Sequence, residues 1–383
     1  MRGRRLRSVL AAGVAVVSAL FLTAGSGAGA TPNWTVVSSP NASSSINGLT
    51  GVSCTSATFC MADGEYYPNG GAIYQTLIEE WNGTTWSVLS SPNTSSTESN
   101  GLTGMSCTSL TFCMATGNYS NGTHVQTLIE EWNGTSWAIV SSPNPSTTQD
   151  VFLYGVSCTS ATFCMTAGIY NSNMTPVIEK WNGTSWTLVS APNPSADSEL
   201  WGVSCTSATF CVATGFTLKT KHFQTLIEKW NGTSWVVASS PNASIFDNEL
   251  YGVDCTSATF CMAVGGYLHY YRSRYFQNLF EKWNGTSWTI VSSPNTSTTQ
   301  DNNLFGVSCT SATFCMAIGQ YSTGTSDQTL AVAWNGKTLK RVSSPNPGTD
   351  SRLYGVRCTN ATFCMSAGQY YNGTVFQTLI EKW

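Results

Sequence analysis

The sequence is poor in charge and in histidine. Only 10% of its 383 residues are Asp, Glu, Lys or Arg, and it has three histidines, His124, His222 and His269, none in the repeat core. A metal centre draws on His, or on Cys at short spacings supplemented by His, so no metal ligands and no cofactor are expected. The formal net charge is −3 and no basic stripe follows the chain, which argues against a nucleic-acid partner. Beyond residue 30 no apolar run reaches the roughly 18 residues that a membrane span needs. A sustained 3.6-residue period is missing too, which excludes helical repeats.

What is present begins with a leader. Residues 1–30 carry a basic start (Arg2, Arg4, Arg5, Arg7), an apolar stretch from Val9 to Leu22 and the small-residue ending Ala28-Gly29-Ala30. This is the pattern of a secretory signal peptide cleaved before Thr31. The surroundings of Arg4-Arg5 fit the twin-arginine motif poorly, so the general export route is expected. Loss of the four arginines would leave 13 basic residues against 20 acidic ones, a net of −7. The expectation is a secreted, extracellular monomer with one domain, 31–383. Its 12% aromatic content, with 14 Trp, is too high for a disordered chain.

That domain is repetitive. Pairs of cysteines six positions apart begin at Cys54, Cys107, Cys158, Cys205, Cys255, Cys309 and Cys358, so seven units of about fifty residues fill it. One unit, "LYGVSCTSATFCMTAGIYNSNMTPVIEKWNGTSWTLVSAPN", holds four strand-like runs: "LYGVSC", "FCMTAG", "PVIEKW" and "SWTLVS". Asn-Gly between the last two is a strong hairpin signal. Four antiparallel strands repeated seven times predict a seven-bladed β-propeller. The chain ends at Trp383 without a fourth strand and opens with "TPNWTVVSSPN", which supplies one. One blade is therefore expected to be completed by the N-terminal strand, closing the ring and leaving no open edge between first and last blade.

The run "YYNGTVFQTLIEKW" joined to "NGTSWTVVSSPN" resembles kelch-type propeller repeats. It is closer still to the repeats of secreted soil-bacterial proteins that carry "WNGTSW" and a "VSC...FCMAVG"-like segment. The resemblance covers 31–383 and implies the propeller fold; it implies little about activity, since propellers host many functions. Gly183-Thr184-Ser185-Trp186 echoes the Asp-box turn of sialidase-like propellers, but Trp181 and Asn182 stand where that turn has its Asp.

In an exported chain, fourteen cysteines committed to seven identical pairs read as disulfides: Cys54–Cys60, Cys107–Cys113, Cys158–Cys164, Cys205–Cys211, Cys255–Cys261, Cys309–Cys315 and Cys358–Cys364. Each would clip the hairpin of strands one and two, at a separation a disulfide can span. The Glu repeated in the third strand (79, 130, 179, 228, 281, 381), replaced once by Val332, is expected to be a structural partner.

The "CTSAT" and "NGTS" turns are nearly uniform from unit to unit, whereas the loops on the opposite face vary, and variable loops are where recognition is usually carried. Two features stand there. The interblade loops carry Glu98, Asp150, Asp197, Asp247, Asp301 and Asp350, and near them on the innermost strand come Tyr154, Trp201, Tyr251, Phe305 and Tyr354, with Thr50 and Thr103 in the other two units. Together they are expected to ring the channel mouth with carboxylates and aromatic rings, suited to sugars or to a bound cation. The bland alternative is that the acids end turns and the rings wedge between blades. The second feature is a basic aromatic patch, "YLHYYRSRY" with His269, Tyr271 and Arg272, beside "FTLKTKHFQ" with Lys219, Lys221 and His222.

No His-carboxylate set departs from the repeat, no Arg cluster recurs as a sialidase needs, and the Cys of a kelch-type copper oxidase is unavailable. No catalytic residue is therefore assigned. The expectation is a non-catalytic extracellular binding module for a glycan or protein partner; the alternative is a polysaccharide hydrolase or lyase.

Overall fold

Near-continuous runs of apolar and small residues, rich in Val, Ile, Thr and aromatics, suit inner strands covered on both faces. In the third unit they form four antiparallel strands, Val151–Ser160, Phe163–Tyr170, Thr175–Trp181 and Trp186–Val189, hydrogen-bonded in chain order. The computed structural model describes residues 33–383 apart from 69, 171–173 and 270–274. Seven such four-stranded sheets make it up. Each innermost strand packs on the next, and the seventh, Ser351–Asn360, packs on the first, Asn47–Ser56. The fold is an all-β, seven-bladed propeller. Its closing blade joins Thr35–Val37 antiparallel to Phe376–Lys382, with Val36 opposite Glu381.

Within a blade the turns do the fastening. All seven cysteine pairs are disulfides between directly opposed residues, with Cα atoms 3.9–4.0 Å apart. The Trp that ends the third strand donates its indole N–H to the carbonyl of that cysteine turn, as Trp181 does to Ala161 at 3.0 Å. The Asn-Gly hairpin forms as a four-residue loop rather than a two-residue turn, because Trp181 and Trp186 face each other across it with rings 5.7 Å apart. Asn182 Oδ1 accepts the N–H groups of Thr184 and Ser185, and Gly183 supplies the left-handed residue at φ 99°.

Between blades lie seven apolar clusters, such as Met165 and Ile178 of blade 3 against Leu200, Val203 and Leu226 of blade 4. Each seam also carries a polar tie. The six third-strand glutamates are fully buried, and in five seams the serine before the linker proline donates to the carboxyl: Ser39 to Glu79, Ser91 to Glu130, Ser142 to Glu179, Ser240 to Glu281 and Ser344 to Glu381, at 2.6–3.1 Å. Burial raises each of the six to about 8, so they stay protonated and neutral at pH 7. Two seams are mismatched. Ala191 stands opposite Glu228, whose two carboxyl oxygens have no partner, and Val332 stands opposite Ser293, whose hydroxyl has none.

Candidate functional site

Six innermost strands slip register by one residue between the Leu and the Gly of their first half, at Leu49/Gly51, Leu102/Gly104, Leu200/Gly202, Leu250/Gly252, Leu304/Gly306 and Leu353/Gly355. In the third blade the slip spans Tyr154 and Gly155. A bulge turns its extra residue out of the strand's alternation, and here that residue is Thr50, Thr103, Tyr154, Trp201, Tyr251, Phe305 or Tyr354. Together with the glycines that follow and a layer of Val52, Val156, Val203 and their equivalents, these side chains line a cavity of about 430 Å³ on the propeller axis. The glycine after each bulge is forced by close approach, because a Cβ on Gly155 would meet the Trp201 carbonyl oxygen at 2.9 Å.

The five aromatic rings form a continuous arc. Tyr154 stacks on Trp201 with centroids 4.4 Å apart and planes 9° from parallel; Trp201 meets Tyr251 edge-on at 5.6 Å; Tyr251 meets Phe305 at 5.7 Å, and Phe305 meets Tyr354 at 5.6 Å. All five are half-buried. Two residues before two of these rings lie Glu199 and Glu249. The Trp201 indole N–H donates to Glu199 at 2.8 Å, and the Tyr251 hydroxyl donates to Glu249. Burial raises both carboxyls above the ordinary range, the aromatic donors opposing that shift. Arg352, two residues before Tyr354, is paired with Asp327 at 2.9 Å.

The acids expected around the mouth are elsewhere, and none lines the cavity. Asp150, Asp247, Asp301 and Asp350 each accept a backbone N–H at the start of the preceding blade's third strand, from Val125, Phe223, Phe276 and Asp327, at 2.7–2.9 Å. Asp197 meets the second strand through its carbonyl, which accepts the Leu218 N–H. These residues tie loops to blades, because an unpaired strand-end N–H is costly to leave unmet. Among the described residues no three His, Cys, Asp or Glu side chains converge, so the carboxylate ring suited to a cation is not assembled.

The basic aromatic patch divides. His222 lies 3.3 Å from Asp247, and His269 stands edge-on to Tyr267. Tyr271 and Arg272 lie outside the described residues. Glu199 and Glu249 were readable in "ELWGV" and "ELYGV" from their place two residues before the ring in the sequence. Asp63 carried no such signal. It is a second-strand residue fully buried behind Gly51, with Oδ1 unpartnered and its carboxyl raised to about 7 by burial.

The fold and the axial cavity define a disulfide-stapled, seven-bladed propeller with an aromatic-lined channel. No family model and no curated protein matches the chain by sequence. Solved structures share the fold. YCF48 bound to D1 peptide is 11% identical with a TM-score of 0.56, covering 92% of this chain and 95% of its own. YCF48 from Cyanidioschyzon merolae is 12% identical with a TM-score of 0.54, covering 91% and 98%. Sqt1 of Chaetomium thermophilum, bound to the N-terminus of ribosomal protein L10, is 9% identical with a TM-score of 0.50, covering 90% of each chain. At these identities the likeness is one of fold.

Proposed function

We propose that this protein is an exported, non-catalytic binding module that holds carbohydrate at the aromatic end of its central channel. The observation that carries the reading is the arc from Tyr154 to Tyr354, set by bulges on five successive blades around one cavity. Aromatic rings beside hydrogen-bonding carboxyls are the usual chemistry of a sugar site, which pairs an apolar ring face with polar groups that fix orientation. Export agrees with seven disulfides, which need an oxidising compartment to form. Asp247, an interblade acid on which a hydrolase reading would draw, is engaged in a backbone tie. The test is a glycan array run with the unaltered protein and with Tyr154→Ala and Tyr354→Ala, each expected to weaken any hit about tenfold. A blank array with the folded protein overturns the carbohydrate reading. A second reading, a short peptide ligand, is favoured by the two structural neighbours captured with peptides, and a peptide array run in parallel decides between them.

A further inference from the structure

The arc has five rings where the propeller offers seven positions. Among the described residues, Trp201, Tyr251 and Phe305 each have a ring neighbour on both sides, whereas Tyr154 and Tyr354 each have one. The outer sides of these two terminal rings therefore border the sector of blades 1 and 2. There the bulge residues are Thr50 and Thr103, and two residues earlier, where blades 3, 4, 5 and 7 carry Phe, Glu, Glu and Arg, stand Gly48 and Gly101. The bulge layer of the channel wall and the strand position two residues before it are thus both small over the same two blades. The glycines are not idle space. A Cβ on Gly48 would lie 2.6 Å from the Gln369 amide oxygen, and one on Gly101 would lie 2.9 Å from the Glu65 carboxyl.

We infer that the gap in the arc, over Thr50 and Thr103 and between the free sides of Tyr154 and Tyr354, is the subsite for a neutral or amino pyranose ring. This rests on the carbohydrate reading above and narrows it. The three inner rings each meet a ring on both sides, so a ligand ring can extend the arc only at its two ends. The floor offers the Thr50 and Thr103 hydroxyl oxygens as acceptors to ring hydroxyls, their own protons being donated to the Leu102 and Leu153 carbonyls. The charge at this mouth selects among sugars. Glu65, Glu199 and Glu249 are carboxyls near it, and Arg352 is already committed to Asp327. A uronic acid or sulfated sugar would meet these carboxyls with no Lys or Arg among the described residues that line the cavity to offset them.

The test fills the gap. Thr103→Tyr and Thr50→Phe each place in blade 2 or 1 the kind of residue that blades 3 to 7 carry at the same bulge, so both should fold, as unchanged circular dichroism melting would show. Affinity for the best neutral or amino glycan of the array should fall at least tenfold in either variant and in Tyr354→Ala, while Phe305→Leu, inside the arc, changes it less than threefold. Glycan binding that survives both filling variants with the fold intact overturns the subsite and leaves the carbohydrate reading standing. Preference for uronic or sulfated glycans overturns the charge selection. No glycan binding by the unaltered protein overturns both the reading and the subsite.

Discussion

Replacing serine by alanine should have opposite signs at two equivalent positions of the ring. Ser142 donates to the fully buried Glu179 carboxyl at 2.9–3.1 Å. Deleting it leaves buried carboxyl oxygens without their donor, which costs about 1–3 kcal/mol. Ser293 occupies the same linker position, but its seam has Val332 in place of Glu, and its buried hydroxyl has no partner. Ser293→Ala removes an unmet polar group and should stabilise by up to about 1 kcal/mol. The fourth blade provides the reverse case, since Glu228 is buried opposite Ala191 with neither oxygen bonded. Ala191→Ser adds the donor found in five other seams and should stabilise by about 1 kcal/mol. Equilibrium urea unfolding at pH 6, below the value of about 8 to which these carboxyls are raised, reads all three with the carboxyls protonated. The reasoning fails if Ser293→Ala destabilises as much as Ser142→Ala, or if Ala191→Ser lowers stability.

The same carboxyls predict a pH dependence. Each native Glu titrates near 8 against an ordinary 4.5, so the folded state binds protons that the unfolded chain has released. Their stabilising contribution is complete below about 4.5 and is lost as pH rises through about 8. The melting temperature should therefore fall between pH 5 and 8.5, and fall less in the double variant Glu130→Gln, Glu179→Gln; a melting temperature that rises over this range contradicts the assignment. Lys229 lies over the Trp283 ring of the next blade at 5.2 Å, and Lys229→Ala should cost about 0.5–1 kcal/mol in chemical denaturation. Lys229→Met, keeping the stem without the charge, should lose nearly as much if the charge is what counts. Replacing Cys158 and Cys164 together by Ser should cost about 2 kcal/mol for so short a loop, read as a lower unfolding midpoint. No change would show that the blade hairpin is held by its strand pairing and by the Trp181–Ala161 bond instead.

Much of the architecture was legible locally. The cysteine spacing, the "WNGTSW" turn and the break of the last unit after Trp383 gave blade number, disulfide pairing and ring closure, because each reports contacts between residues close in sequence or repeated seven times. The level of Tyr154, Trp201, Tyr251, Phe305 and Tyr354 followed from their constant place before the strand glycine. The acids were misplaced because Asp150, Asp301 and Asp350 bond to backbone groups 23–25 residues earlier in the chain, across a variable loop that carries no periodic signal.

By itself the sequence determined a seven-fold ring of stapled four-stranded sheets, since strand alternation, turn chemistry and a fixed repeat act over a few residues and are copied from blade to blade. Only the tertiary structure decided which side chains face the axis, that five rings meet in an arc with a gap over Thr50 and Thr103, and that Glu228 and Ser293 lack the partners their equivalents possess. Those facts arise where neighbouring blades meet. There a one-residue bulge, or a change in a residue about forty positions away, sets each side chain's surroundings.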